Sequence, residues 1–179
     1  LGYTIASGFV FAAFLSYLTS SQQVFQDVYG VGAAFPIYFG VLSIAIGAAS
    51  LTNGWLVQRL GMKILAKRAS LGLTILSIGF VSIVFLMADA PPLWSLMSYL
   101  LPAFFCLGIM FGNLNALAMG PLGHIAGLGA TVIGSLSTFI SVPLGTIVGQ
   151  SFDGTVMPLV AGFALFSVIA STLIHVVER

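Results

Sequence analysis

The sequence predicts an all-α polytopic membrane protein with six transmembrane helices. Three observations carry that. Of 179 residues, 59% are hydrophobic and only 5% are charged, whereas a water-soluble domain carries about 25% Asp, Glu, Lys and Arg. Mean hydropathy is +1.16, and six apolar runs are each long enough for the roughly 20 residues that a helix needs to cross hydrocarbon about 30 Å thick. No segment shows the ten-residue polar alternation of a transmembrane strand.

The six expected spans are residues 2–22, 36–57, 69–88, 93–115, 127–149 and 156–176, and none holds Asp, Glu, Lys or Arg in its body. Tyr29-Gly30 and Phe35-Pro36 separate the first two. The second ends in a basic stretch from Leu60 to Arg68, and Pro91-Pro92 divide the third from the fourth. Pro121 and Gly123 stand in the fourth turn, and Asp153-Gly154 end the fifth span. No linker divides the chain, so residues 1–179 read as one bundle. The chain opens on Leu1 with no basic leader, as expected of a numbering that begins inside a longer gene product.

Charge tests the segmentation independently. Arg59, Lys63, Lys67 and Arg68 follow span two and Arg179 ends the chain, so six spans put all five cations on one side. Asp27, Asp89 and Asp153 fall on the other, and Glu178 alone breaks the separation. The positive-inside rule makes the cation side cytoplasmic, with both ends of the chain there.

Other functions are excluded on composition. A net charge of +1 offers no basic face for nucleic acid. The one cysteine, Cys106, has no partner, and neither His124 nor His175 has a ligand at metal spacing, so no metal or cofactor is expected. No Asp pair within spans, no Gly-x-Ser-x-Gly and no two-His spacing supports an enzyme.

The most specific motif is Gly54-Trp55-Leu56-Val57-Gln58-Arg59-Leu60-Gly61-Met62-Lys63. Gly54 would let another helix pack closely, Arg59 and Lys63 suit a helix C-terminus at the cytoplasmic interface, and Gly61 can take the left-handed conformation that ends a helix. The segment resembles the G-x-L-x-D-R-x-G-x-[RK] signature of the major facilitator superfamily, with Gln58 where the signature has Asp. Val24-Phe25-Gln26-Asp27-Val28-Tyr29-Gly30-Val31, Phe111-Gly112-Asn113-Leu114-Asn115-Ala116, Pro121-Leu122-Gly123-His124-Ile125-Ala126-Gly127 and Phe152-Asp153-Gly154-Thr155 resemble its bicyclomycin/chloramphenicol-resistance type of drug:proton antiporter. Their order is that of helices seven to twelve.

The resemblance implies half of a major facilitator fold, built as two inverted three-helix repeats with substrate near the midplane. It implies multidrug efflux across a bacterial inner membrane. The implied partners are an N-terminal six-helix half (same polypeptide or second copy), a small-molecule substrate and protons. Spans one and four would line the cavity through Phe11, Phe14, Tyr17, Gln22, Phe105, Met110, Asn113 and Asn115, with helix packing as the other reading of each. In span five, Gly134, Ser135, Ser137, Thr138, Ser141 and Gly145 suit close helix crossing, and Pro143 would kink the helix or free a carbonyl, with a gating hinge as the functional reading and tight packing as the other. No carboxylate lies inside a span, so the proton carrier would belong to the other half. The same lack fits a second expectation, a half-size assembly subunit of a larger membrane complex.

Overall fold

A computed structural model describes residues 1–87 and 90–178. The expected positions of Ala88, Asp89 and Arg179 lie outside them.

Among the described residues the chain is helical and contains no strand: α1 Gly2–Gln23, α2 Phe35–Leu60, α3 Met62–Leu86, α4 Leu93–Met119, α5 Ala126–Gln150 and α6 Met157–Val177. It is an all-α polytopic membrane protein. In hydrocarbon each backbone N–H and C=O must be satisfied within its own segment, which leaves helices as the solution. Hydroxyls follow the same rule: Ser16, Ser20, Thr52, Thr74 and Ser82 each donate to a carbonyl four residues back.

All the helices but α6 run longer than the expected spans, because hydropathy measures hydrocarbon and not helix. Lys63, Lys67 and Arg68, expected in a connection, lie on the first turns of α3. Gly61 alone separates α2 from α3, at φ +81° and ψ 155°. Its φ is positive, as glycine permits, but the conformation is extended and not the left-handed helical cap expected. Past α1 the backbone continues as a π-helical turn, Val24–Val28, and a 3₁₀ turn, Gly120–Ile125, replaces the loop expected between spans four and five. α4 and α5 thus form one helical run, Leu93–Gln150, yet two helices. A Cβ on Gly129 would lie 3.5 Å from the Met119 sulfur, so the chain has folded back on itself.

Packing follows a pseudo-two-fold. α1 lies against α5 and α6 as α4 lies against α2 and α3, while α1 meets α4 and α3 meets α6. Exchanging the first triplet for the second leaves these pairings unchanged. A shift of 91 residues, Gly2 to Leu93, also carries Phe35 to Ala126, Val28 to Met119 and Leu86 to Val177. Successive helices alternate direction, so a three-helix repeat begins its second copy from the opposite face. The two copies are therefore inverted.

Side-to-side contacts agree with the sidedness read from charge. Gly2 lies against Val177, and Lys67 Nζ is 3.9 Å from Glu178 Oε2, so both chain ends and the α2–α3 turn share one end of the bundle. At the other end, Tyr29 Oη donates to the Pro91 carbonyl at 2.8 Å. There Asp153 Oδ1 accepts from the Thr155 hydroxyl at 2.7 Å and from its N–H at 3.0 Å, which holds the carboxyl below the usual aspartate range.

Candidate functional site

The central pair, α1 and α4, carries a chain of aromatic rings. Phe111 of α4 meets Phe11 and Phe14 of α1 edge-on, with centroids 5.9 and 5.7 Å apart, and Phe104 lies 6.0 Å from Phe14. Edge-to-face contacts of this length are favoured by the ring quadrupole and make a firm wall. Beside it, α5 approaches α1 so closely that a Cβ on Gly145 would sit 2.6 Å from the Leu15 Cβ. Ser137 Oγ donates to the Thr4 carbonyl at 3.3 Å across the same seam.

These three helices wall an open pocket of about 230 Å³ lined by Ser7, Phe11, Phe111, Asn115, Gly134, Ser137 and Thr138. Three of its pairs stand one helical turn apart: Ser7 with Phe11, Phe111 with Asn115, and Gly134 with Thr138. Each helix thus adds a ring or a small residue together with a hydrogen-bonding group. Ser7 and Asn115 are about one turn inside the helix ends that share the α2–α3 turn, so the pocket is nearer that face. No ionisable group lines it, which suits a small uncharged solute with an aromatic or aliphatic body.

The structure separates the expected cavity residues. Phe11 and Asn115 reach the pocket, and Phe14 supports its wall. Tyr17 is buried between Phe25, Phe39 and Phe104, its hydroxyl without a partner among the described residues. Met110 is fully buried in the core, and Phe105 packs on Ala49, Leu65 and Ile109 where α2, α3 and α4 meet. Tyr17, Met110 and Phe105 pack among neighbouring side chains and do not line this pocket: on a helix with neighbours all round, position in the span does not choose the face. Asn113 is buried too, its Nδ2 donating to Asn53 Oδ1 of α2 at 2.6 Å and to the Ile109 carbonyl at 2.8 Å. Gln22 is exposed at the far end of α1, beside Thr19, Gln23, Gln26 and Asp27 around a polar hollow of about 520 Å³. That hollow is about 16 Å along the helix from Phe11.

Sequence reasoning did not place Ser7, Phe111, Gly134, Ser137 or Thr138 in a pocket. The signal available was the one-turn spacing of an aromatic or glycine and a polar residue. Of the basic motif, Gly54, Arg59, Gly61 and Lys63 are all exposed. Among the described residues, the helix's own adjoining backbone aside, nothing lies within 4 Å of where a Gly54 Cβ would stand, so no described helix uses the close approach expected there. Among the described residues no three His, Cys, Asp or Glu side chains gather at metal-binding distance.

Compared with known proteins, the chain is 25% identical over 174 residues to an uncharacterised MFS-type transporter, YdgK, of Bacillus subtilis (strain 168). The match covers 96% of this chain but spans 42% of the relative's length. That supports a likeness to major facilitator transporters. The relative's name carries no substrate, ion or direction of transport, so the drug:proton subtype rests on the motifs alone. No family model and no solved structure matches.

Proposed function

We propose that this chain is one six-helix half of a secondary transporter that exports small, mostly apolar molecules by alternating access. Protons drive it, and the membrane is the bacterial cytoplasmic membrane, with both described ends inside. The observation that carries the reading is the pocket walled by α1, α4 and α5 and left without a fourth wall. A second six-helix half, on the same polypeptide or a second copy, supplies that wall. On α2 the residues Gly40, Ser43, Gly47, Ser50 and Gly54 recur three and four apart, and among the described residues, the helix's own adjoining backbone aside, no heavy atom lies within 4 Å of a Cβ built on its three glycines. Small residues in such a row let another helix approach closely. A transported solute would rest on Phe11 and Phe111 and exchange hydrogen bonds with Asn115, Ser7 and Thr138. The bundle itself brings no carboxylate to the pocket, so proton coupling falls to the other half.

The test is efflux by the intact protein in inverted vesicles energised with a proton gradient. Phe111→Ala and Asn115→Ala are each expected to raise the KM for a transported aromatic compound about tenfold, or about 1.4 kcal/mol, with protein level unchanged. Absence of gradient-dependent transport across a panel of apolar compounds would overturn the reading.

A further inference from the structure

The exposed surface of α2 divides lengthwise into two unlike stripes. The small-residue row is one. The other, Ile37, Ile44, Leu51 and Trp55, is bulky and 67%, 70%, 82% and 55% exposed. Its spacing of seven, seven and four keeps it on one side of the helix, and four residues further on stands Arg59. The Arg59 guanidinium lies over the Trp55 ring at 4.0 Å from its centroid, so the cation is held at the foot of the bulky stripe. On α3 a matching stripe descends through Ile78, Ile75, Leu71 and Ile64, with Arg68 among them at the same end. Lys63 is exposed two residues past the turn at Gly61 that joins the two helices.

Large apolar residues facing outward in a membrane helix meet acyl chains, whereas small residues meet helices. Arg59 therefore ends one stripe that faces lipid and Arg68 lies within the other, and neither belongs to the row that would face another half. Among the described residues at this end, the carboxylate within 4.0 Å of a cation is Glu178, and it faces Lys67 and not Arg59 or Arg68. Gln58 stands where a neighbouring carboxylate could have answered Arg59.

We infer that Arg59, Lys63 and Arg68 form a binding site for the phosphodiester head group of an anionic phospholipid, its acyl chains lying along the bulky stripes of α2 and α3. Arginine's fork matches phosphate oxygens in two-point hydrogen bonding, and Lys63 adds a point charge. This site is separate from the pocket and does not depend on the transport reading.

The test uses the intact protein, delipidated in neutral detergent and titrated with phosphatidylglycerol or phosphatidylcholine, with bound lipid counted by native mass spectrometry. The wild type is expected to prefer phosphatidylglycerol. Each of Arg59→Gln and Arg68→Gln should cut the preference about fivefold, and Lys67→Gln, whose charge already faces Glu178, less than twofold. Arg59→Lys keeps the charge but loses the fork, and should fall between the wild type and Arg59→Gln, which separates loss of the site from misfolding. Equal binding of the two lipids would overturn the site. So would a preference that survives the double Arg59→Gln, Arg68→Gln change, or an equal loss in Lys67→Gln, which would mean diffuse charge or an acidic protein surface elsewhere.

Discussion

Asn113 shows how a single side chain is decided inside a membrane protein. A primary amide 1% exposed in an apolar bundle must place both hydrogens and its oxygen, or carry the cost of unmade bonds. Its two hydrogens go to Asn53 on α2 and to the carbonyl one turn back. Asn53→Leu is expected to destabilise the bundle by about 1 kcal/mol, since interhelical hydrogen bonds in membranes contribute roughly 0.6–2 kcal/mol. A double-mutant cycle with Asn113→Leu, followed by unfolding in mixed micelles, should return most of that as coupling. Coupling indistinguishable from zero would make the pair incidental. Asn113 was legible as a residue needing a partner, because an amide in a span is costly anywhere. Asn53 was not, since which helix faces it is a property of the bundle. Phe11 and Asn115 could be chosen from the sequence for the pocket, whereas Tyr17, Met110 and Phe105 carried the same signal and face the core.

At the scale of elements, two helices rich in small residues use them oppositely. Along α5, Gly145 and Gly149 stand where α1 crosses: a Cβ on Gly145 would meet the Leu15 Cβ at 2.6 Å and the Ser16 backbone at 3.2 Å. Backbone cannot step aside as a side-chain tip can. Gly145→Val is thus expected to cost about 1–3 kcal/mol by overpacking, read as a lower unfolding midpoint. On α2, Gly47 has open space within this chain, so in the six-helix bundle alone, with no second half against α2, Gly47→Val should leave that midpoint within about 0.5 kcal/mol. If Gly47→Val instead destabilised as much as Gly145→Val, the open face of α2 would be misplaced. Helix existence was plain in the sequence because runs of apolar residues in the needed number have one solution in lipid. Helix ends were not, because the basic residues of α3 and the turn at 120–125 keep helical backbone beyond the hydrocarbon. Charge marks where hydrocarbon stops and says nothing about where hydrogen bonding stops.

The whole molecule is a doubled object whose doubling is written in geometry more than in residues. Under the shift of 91, Gly54 falls on Gly145 and Val57 on Val148, but Tyr17 falls on Gly108 and Phe11 on Pro102. Residue identity is therefore nearly silent about a repeat that the helix bounds and packing partners display. What survives in the sequence is sidedness. Inverted repeats of three helices send the α2–α3 turn and the α5–α6 turn, which are equivalent under the shift, to opposite faces. Four cations occupy residues 59–68, and Asp153 occupies the other turn, its carboxyl tied to Thr155. Insertion that favours cations inside would fix this orientation for the whole bundle. With Cys106 changed to Ala, single cysteines at Lys63 and at Asp153 should therefore label from opposite compartments. The Asp153 thiol would react with an impermeant maleimide in sealed cells, and the Lys63 thiol only in inverted vesicles. Labelling of both from one compartment would mean that the number of crossings between them is even, and the inverted repeat would fall with it.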